Sequence, residues 1–419
     1  MCIRDSANVT KNFGKESTRE SVQQTISVTE PTGGVGKLAG SFVITDGTAS
    51  GPYTFDEVGK ITITATNINP STNTSTTNGT KPPTYYMGIS RPDFETRGTL
   101  DLGRFIPDHF DTTLPQPLTD TAAGDTMDCT KTGGIVQPCS KRLVYSRQPF
   151  QLVVSAYNSA GALTKNYSGA YAKTITLLSW SNSVDTATVK AVEIDGMGWS
   201  DEPTTTTTKT RFTFAGGVGT LVKDSQNPLN LPYFAFAAAS TPSNPTRFVV
   251  RATDTDGVTS ARSAPAELEL TAISGQLYIA PNFGSVNAPM PMHMEARFYL
   301  NGGYRLNPAF ALPAPSLDLN SLRYSNCQKL LAADANGNCT AAAQLKLSGT
   351  GQPTFNNGKA VFRLQGPGIG PGSVGISLRG QCPTGASCPD WITYLPATVG
   401  NATFGIYRSG PVIYTREVY

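Results

Sequence analysis

Apolar and polar residues alternate along much of this chain with a period of two. Ile61, Ile63 and Ala65 fall on one side of a run, with Thr62 and Thr64 on the other. Phe150, Leu152, Val154 and Ala156 repeat the pattern. Phe248, Val250 and Ala252 oppose Arg247, Val249 and Arg251, and Ala266, Leu268, Leu270 and Ala272 oppose Glu267, Glu269 and Thr271. The longest run sets Met292, Met294, Ala296, Phe298 and Leu300 against His293, Glu295, Arg297 and Tyr299. Ala360, Phe362 and Leu364, then Val374, Ile376 and Leu378, close the series. A β-strand turns successive side chains to opposite faces, so the pattern predicts half-buried strands separated by Gly, Pro and Asn turns. Antiparallel sheets with one wet face accommodate such strands. The helical period is nearly absent; only Leu317 to Ala333 reads as holding a turn or two of helix.

Composition agrees. Gly (41) and Pro (30) together make roughly 17% of the 419 residues, high for a helical protein and below the low-complexity range. The expected fold is all-β: tandem antiparallel β-sandwiches, immunoglobulin-like or jelly-roll-like, with long disulfide-tied loops. Residues 1–6 do not alternate and read as a non-native start of a truncated reading frame. The expected units are an immunoglobulin-like sandwich over 7–110, a disulfide-tied loop over 111–145, a second immunoglobulin-like sandwich over 146–273, and a C-terminal sandwich or jelly roll over 274–419. In the second sandwich, a strand at Phe150–Asn158 leads through Gly161 and Asn166–Gly169 to Thr174–Leu178, a succession that resembles bacterial immunoglobulin-like repeats.

Cysteine usage bears on the compartment. Six of the seven Cys lie in close pairs: Cys129 with Cys139, Cys327 with Cys339, and Cys382 with Cys388; Cys2 stands apart. Six Cys allow 15 connectivities, and proximity favours the three local ones. Zinc fits poorly, because no Cys-x-x-Cys occurs and the chain has only His109 and His293. Disulfides imply an oxidising site: periplasm, outer surface or exterior. The net charge is +3 with no basic run, which excludes nucleic acid as the expected partner. No apolar run approaches the ~18 residues of a membrane helix, and the apolar stretches are short for the wall of an outer-membrane barrel.

Candidate chemistry is sparse. Asp108 and His109 are the residue types of an acid–base pair, but strand neighbours face apart, and Pro107 marks a strand exit. Arg104 could reach Asp108 across that bend. His293, Glu295 and Arg297 share a strand face and read as its solvated side. Asp254-Thr255-Asp256-Gly257 and Asp334 to Asn338 look like fragments of calcium loops, yet Leu345 stands where the second would need its closing Glu. Asp-Gly and Asn-Gly are also ordinary turn pairs. Gly366 to Gly372 lacks the Lys-Ser/Thr of a phosphate loop and reads as a turn. Trp180, Trp199 and Trp391 could stack on sugars, though aromatics pack cores more often. No catalytic, cofactor or metal residue is assigned.

Four blocks carry a family likeness: Phe55 to Ala65; Gly103, Arg104, Phe105, Ile106, Pro107, Asp108, His109 and Phe110; Pro291 to Tyr299; and Phe404 to Tyr419, including Phe404, Gly405, Tyr407, Arg416 and Glu417. Together they resemble the large C-terminal region, a domain of unknown function, of the pilus biogenesis protein MshQ and its relatives in Gram-negative bacteria. The resemblance implies a non-enzymatic, exported structural or interaction protein without cofactors. Its implied role is assembly or display of a mannose-sensitive haemagglutinin type IV pilus, with pilus or cell-surface proteins as partners. The alternative is a glycan-binding adhesin segment. Two outcomes separate them: exposed aromatics gathered in one patch favour the adhesin, and buried aromatics count against it.

Overall fold

The computed structural model describes residues 21–41, 43–45, 48–68, 85–86, 89–90, 97–115, 142–148, 150–180, 191–193, 212–221, 234, 236, 241–311, 314–332, 339, 345–349, 351–380 and 390–405. Among these residues the regular elements are strands and two short 3-10 turns, Gly169–Tyr171 and Leu319–Ser321, so the protein is all-β.

The first group comprises β1 (Ser21–Glu30), β2 (Leu38–Gly40), β3 (Val43–Thr45), β4 (Thr48–Ser50), β5 (Tyr53–Phe55), β6 (Gly59–Ile68), β7 (Tyr85–Tyr86), β8 (Ile89–Ser90) and β9 (Arg97–Phe105). Strands β1, β6 and β9 form an antiparallel sheet in that order, beside three small hairpins, β2–β5, β3–β4 and β7–β8. The register aligns Ile26, Ile63 and Leu100, then Val28, Ile61 and Leu102, on one face, as the period-two pattern requires. Burial on this face is graded: Ile61 is fully buried, whereas Leu100 is 57% exposed.

The second group comprises β10 (His109–Thr113), β11 (Arg142–Tyr145), β12 (Val153–Tyr157), β13 (Ile175–Trp180), β14 (Ala191–Glu193), β15 (Phe212–Ala215), β16 (Val218–Leu221), β17 (Thr246–Asp254) and β18 (Leu268–Ile273). One sheet runs β10-β12-β16-β15 and the other β11-β18-β17-β13-β14. Neighbours are antiparallel except β11 and β18, which run parallel. This is an immunoglobulin-like order: the entering strand begins in one sheet as β10, crosses to the other as β11, and lies there beside the final strand. Phe110 and Val154 from one sheet, with Phe150 and Leu152 leading into β12, meet Leu177, Phe248, Val250 and Leu270 from the other in a single core. Tyr167 is fully buried in it, its ring 4.9 Å from that of Phe214 and 5.7 Å from that of Phe110.

Residue 110 therefore does not end the first unit, as expected from the sequence. Phe110 pairs with Ala156, so His109 to Thr113 open the second sandwich. The expected loop over 111–145 likewise has strand at both ends, in β10 and β11, and its Cys129 and Cys139 lie outside the described residues.

The third group comprises β19 (Gly275–Ile279), β20 (Asn282–Gly284), β21 (Met290–Leu300), β22 (Gly303–Leu306), β23 (Leu322–Lys329), β24 (Lys359–Leu364), β25 (Gly372–Leu378) and β26 (Gly400–Phe404). β21 pairs with β19 on one edge, and with β22 and β24 on the other. The facing sheet runs β20-β26-β25-β23: the chain enters as β19 beside β21 and crosses to this sheet as β20, parallel to the final strand β26. The plan repeats that of the second sandwich, with the β22 hairpin added, and is immunoglobulin-like rather than a jelly roll. Along β21 every apolar position from Met290 to Leu300 is buried and His293 is exposed. The segment expected to hold a helical turn forms the short 3-10 turn and then β23. Leu322 is buried in the sandwich and β23 pairs along β25, so sheet pairing overrides the local pattern. Cys327 and Cys339 are joined across a Cα–Cα distance of 5.7 Å. Cys2, Cys382 and Cys388 lie outside the described residues.

Candidate functional site at the joints between modules

The polar side chains with the most elaborate surroundings lie where one module meets the next. At the first joint the chain passes from β9 to β10 through Ile106, Pro107 and Asp108. Glu57, just before β6, is 8% exposed, and its carboxylate accepts hydrogen bonds from the backbone N–H of Lys165 (2.9 Å) and of Asn166 (3.0 Å) in the second sandwich. Asn166 returns the contact: its amide donates to the carbonyls of Val35 (2.6 Å) and Val58 (3.0 Å), and its oxygen accepts from Val35 N–H (3.0 Å). Asn158 donates to Asp56 O (2.9 Å). Val58 is buried within the second core. A buried carboxylate with two N–H donors and a buried amide with its groups engaged satisfy each other, so the joint is closed without stranded polar atoms.

Charges ring this contact. Arg104 forms a two-pronged pair with Asp256, one prong at 2.8 Å. That guanidinium holds the Asp256 carboxyl below its usual range, and Asp256 raises Arg104 in turn. Arg104 thus pairs with Asp256 and not with Asp108; the distance bridged is between modules, not across the bend. Tyr171 donates to Glu30, which also meets Lys60 at 3.0 Å. Tyr171 and then Lys60 lower the Glu30 carboxyl, while desolvation and then Glu30 push the Tyr171 hydroxyl up to about 12. The Asp254 to Gly257 segment is a turn: Asp254 accepts from Asp256 N–H (2.9 Å), Val258 N–H (2.9 Å) and Tyr167 O–H (2.9 Å). Protein donors thus occupy the oxygens that a calcium reading requires. Among the described residues no group of three or more His, Cys, Asp or Glu could hold a metal ion; Asp334 to Asn338 lie outside them.

His109 and Asp108 do touch, contrary to the strand argument. Asp108 precedes β10 and is free of its alternation, so its Oδ2 reaches His109 Nδ1 at 2.8 Å. Arg262 approaches His109 Nε2 at 2.5 Å and donates to Asp111 at 2.9 Å. An arginine N–H can only donate, so Nε2 accepts and Nδ1 carries the hydrogen toward Asp108. Both ring nitrogens are engaged, and the ring stacks on Tyr157 at 5.5 Å. The arrangement ties the start of β10 to the turn at Arg262. It presents no nitrogen to a substrate.

The second joint runs through β11. Val144 faces the core of its own sandwich, while Leu143 and Tyr145 belong to the core of the next. Tyr145 is fully buried; its ring meets Phe310 at 5.7 Å and Tyr394 at 5.8 Å, and its hydroxyl accepts from Asn307 at 2.9 Å. Burial pushes that hydroxyl far above the usual tyrosine range. Strand β18 continues through Ser274 into β19, and a Cβ on Gly275 would come within 2.6 Å of Leu395 and Tyr145 side-chain atoms. Only glycine permits that approach.

Other candidates disperse. His293 is exposed, and Glu295 pairs with Arg297 at 2.7 Å, whose guanidinium lies 3.5 Å over the Tyr278 ring. Trp391 is buried and donates to Ser316 O at 3.2 Å. Trp199 and the Trp180 side chain are outside what is described. Phe283 is 70% exposed on β20. In the terminal block Phe404 is buried, and Gly405, at φ +73°, donates to Gly284 O (2.9 Å); Tyr407, Arg416 and Glu417 lie outside the described residues. Sequence reasoning assigned no role to Glu57, Asn166, Tyr145 or Asn307. One signal was available for Tyr145: Leu143-Val144-Tyr145 is apolar on both faces, the mark of a strand covered on both sides.

Family models match most of the chain: DUF6701, third domain, over residues 57–274, and DUF6701, fourth domain, over residues 273–418. No curated protein matches. Among solved structures the chain is similar to FdeC, an adhesin of Escherichia coli, at 12% identity over 91% of this chain and 85% of that one, with a TM-score of 0.28. It is similar to the titin I-band fragment I67–I69 at 9% identity over 92% and 88%, with a TM-score of 0.21. The D00-D0 domain of intimin matches at 16% identity over 41% and 70%, with a TM-score of 0.17. At such scores these superpositions carry no argument, and the immunoglobulin-like reading rests on the strand order above.

Proposed function

We propose that this chain, which belongs to the DUF6701 family, is a non-enzymatic structural segment of an exported bacterial surface protein, holding its modules in a fixed array for assembly or display of a type IV pilus. The observation that carries the reading is the pair of closed joints. Glu57 and Asn166 weld the first to the second module, and Tyr145 of the second sandwich sits in the core of the third. Modules that merely follow one another on linkers move independently, whereas buried, satisfied polar contacts and a shared core hold one orientation. The best-formed polar constellations serve these joints, and the Asp108–His109 pair faces Arg262. The described disulfide at Cys327–Cys339 supports an oxidising compartment. The pilus itself enters through the likeness of the Gly103 to Phe110 and Phe404 to Tyr419 blocks to MshQ relatives. No helix among the described residues is long and apolar enough to cross a membrane.

The test is deletion of the gene in its host, with surface pili counted by electron microscopy. Lost or shortened pili are expected, restored by the intact gene. Normal piliation together with normal attachment would sink the reading. A second reading, a glycan-binding adhesin segment, is favoured by one observation: Phe283 stands exposed beside Thr403 on an open sheet face. Glycan-array binding that Phe283→Ala abolishes would establish it, and it predicts normal pili with lost attachment in the deletion strain.

A further inference from the structure

We infer that the two sandwiches are built to bear tension along the chain, each through a parallel clamp between its entering and its leaving strand. In the second sandwich β10 peels first from its antiparallel partner β12; β11, which follows it, then bears against the leaving strand β18, and the two run parallel over Arg142↔Leu270 to Tyr145↔Ile273, extended by Ser146 N–H to Ile273 O at 2.8 Å. In the third sandwich the parallel contact is longer. Leu277 N–H donates to Pro396 O (2.9 Å) and Thr398 N–H to Leu277 O (2.9 Å); β20 then pairs with β26 from Asn282↔Ala402 to Gly284↔Phe404, and Gly405 N–H closes on Gly284 O at 2.9 Å.

The direction of these strands decides how a pull is felt. Tension draws the entering strand backward from its N-terminal end and the leaving strand forward from its C-terminal end. Two adjacent parallel strands pulled in this way slide past each other, so every bond between them is loaded at once. An antiparallel ladder opened from its free end breaks one pair at a time. Each backbone bond is worth only about 1 kcal/mol net, so resistance depends on how many must fail together. The joints carry the load from one clamp to the next. β18 passes directly into β19, and Tyr145 anchors β11 inside the third core beside Tyr394, just before the Pro396 to Thr398 contacts. Glu57, Asn166 and the Arg104–Asp256 pair hold the first module against the second at the entry side. The 327–339 disulfide joins β23 to the segment before β24, outside both clamps, so it limits extension after rupture without setting the rupture force.

This inference concerns the chain itself and stands apart from the pilus and glycan readings, since the experiment needs neither. The whole chain is pulled in a single-molecule force instrument in two geometries. In one, handles sit at the two chain ends. In the other, one handle is a bioorthogonal residue replacing Ile369, 43% exposed, and the second is at the C-terminal end. The latter pair flanks the open end of the β25–β26 ladder, where Gly372 faces Phe404, and peels it pair by pair. The third-sandwich event, assigned by its contour length, is expected at roughly two- to five-fold higher force with end handles, the difference between concerted and sequential loss of bonds of this strength. Equal forces in the two geometries would overturn the clamp. Thr398→Pro, which removes one clamp donor, is expected to lower the end-to-end force, while Thr398→Ser, which keeps that N–H and the hydroxyl that accepts from Ile279 N–H at 3.0 Å, keeps it. A proline variant that folds, as judged by its thermal transition, and ruptures at the wild-type force would also overturn it.

Discussion

Single residues carry the joints, and their substitution reports on them. Removing the Glu57 carboxylate leaves the N–H groups of Lys165 and Asn166 without their buried acceptor. Glu57→Ala is therefore expected to destabilise by about 2–4 kcal/mol, read in urea denaturation, with Glu57→Gln milder because its carbonyl still accepts. Tyr145→Phe should cost about 1 kcal/mol, the bond to Asn307, whereas Tyr145→Ala should cost about 3–5 kcal/mol through the cavity it opens. Acid tests the Arg104–Asp256 pair. The folded Asp256 carboxyl lies below its ordinary value of 3.8, so the unfolded chain takes up that proton first as pH falls. The pair's stabilisation is complete above that value and is lost as pH falls through the depressed one. Thermal midpoints measured from neutrality down to about pH 3 should fall less steeply in Arg104→Gln than in wild type. Parallel curves would remove the pair from the acid response. None of these partners was legible from the sequence, because each bond joins positions roughly a hundred or more apart and a lone Glu, Asn or Arg looks the same in a joint as on a wet surface.

At the scale of elements the sequence was far more readable. Period-two alternation located β6, β12, β17, β21, β24 and β25, because a strand's faces are set by geometry that any chain obeys. It failed where tertiary contacts override local pattern. Thr271 was assigned to a wet face and is buried, and the segment expected to hold a helical turn gives β23 because β25 offers it an edge. Asp108 escaped the alternation rule by lying one residue outside β10. The Cys327–Cys339 link is testable at this scale. Its loop closes a separation of 12 residues, so Cys327→Ser with Cys339→Ser should cost about 3 kcal/mol by the chain-entropy relation. Reductant should lower the thermal midpoint of wild type by more than that of the double variant, in which the 327–339 link is already gone.

For the whole molecule the central question is whether its sandwiches are separable. The family models divide at residues 273 and 274, where the two matches meet. The cores do not divide there, since Leu143 and Tyr145 lie in the third core. A fragment of residues 274–419 is therefore expected to melt well below the full chain, or to fail to fold, while a fragment of residues 142–419 retains the C-terminal transition. Equal melting of the 274–419 fragment and the full chain would show that the shared strand is dispensable.

By itself the sequence determined that this is an all-β, turn-rich chain and which side chains face inward along most strands. Those properties depend on neighbours one and two residues away, and the chain order records them directly. Only the tertiary structure decided that β10 opens the second sandwich, that entering and leaving strands lie parallel, and that β11 faces two cores. Strand partnership is a contact between segments distant in sequence, and two strands with the same alternation can pair in either direction. The joints follow from that choice, and with them the proposed capacity to carry load.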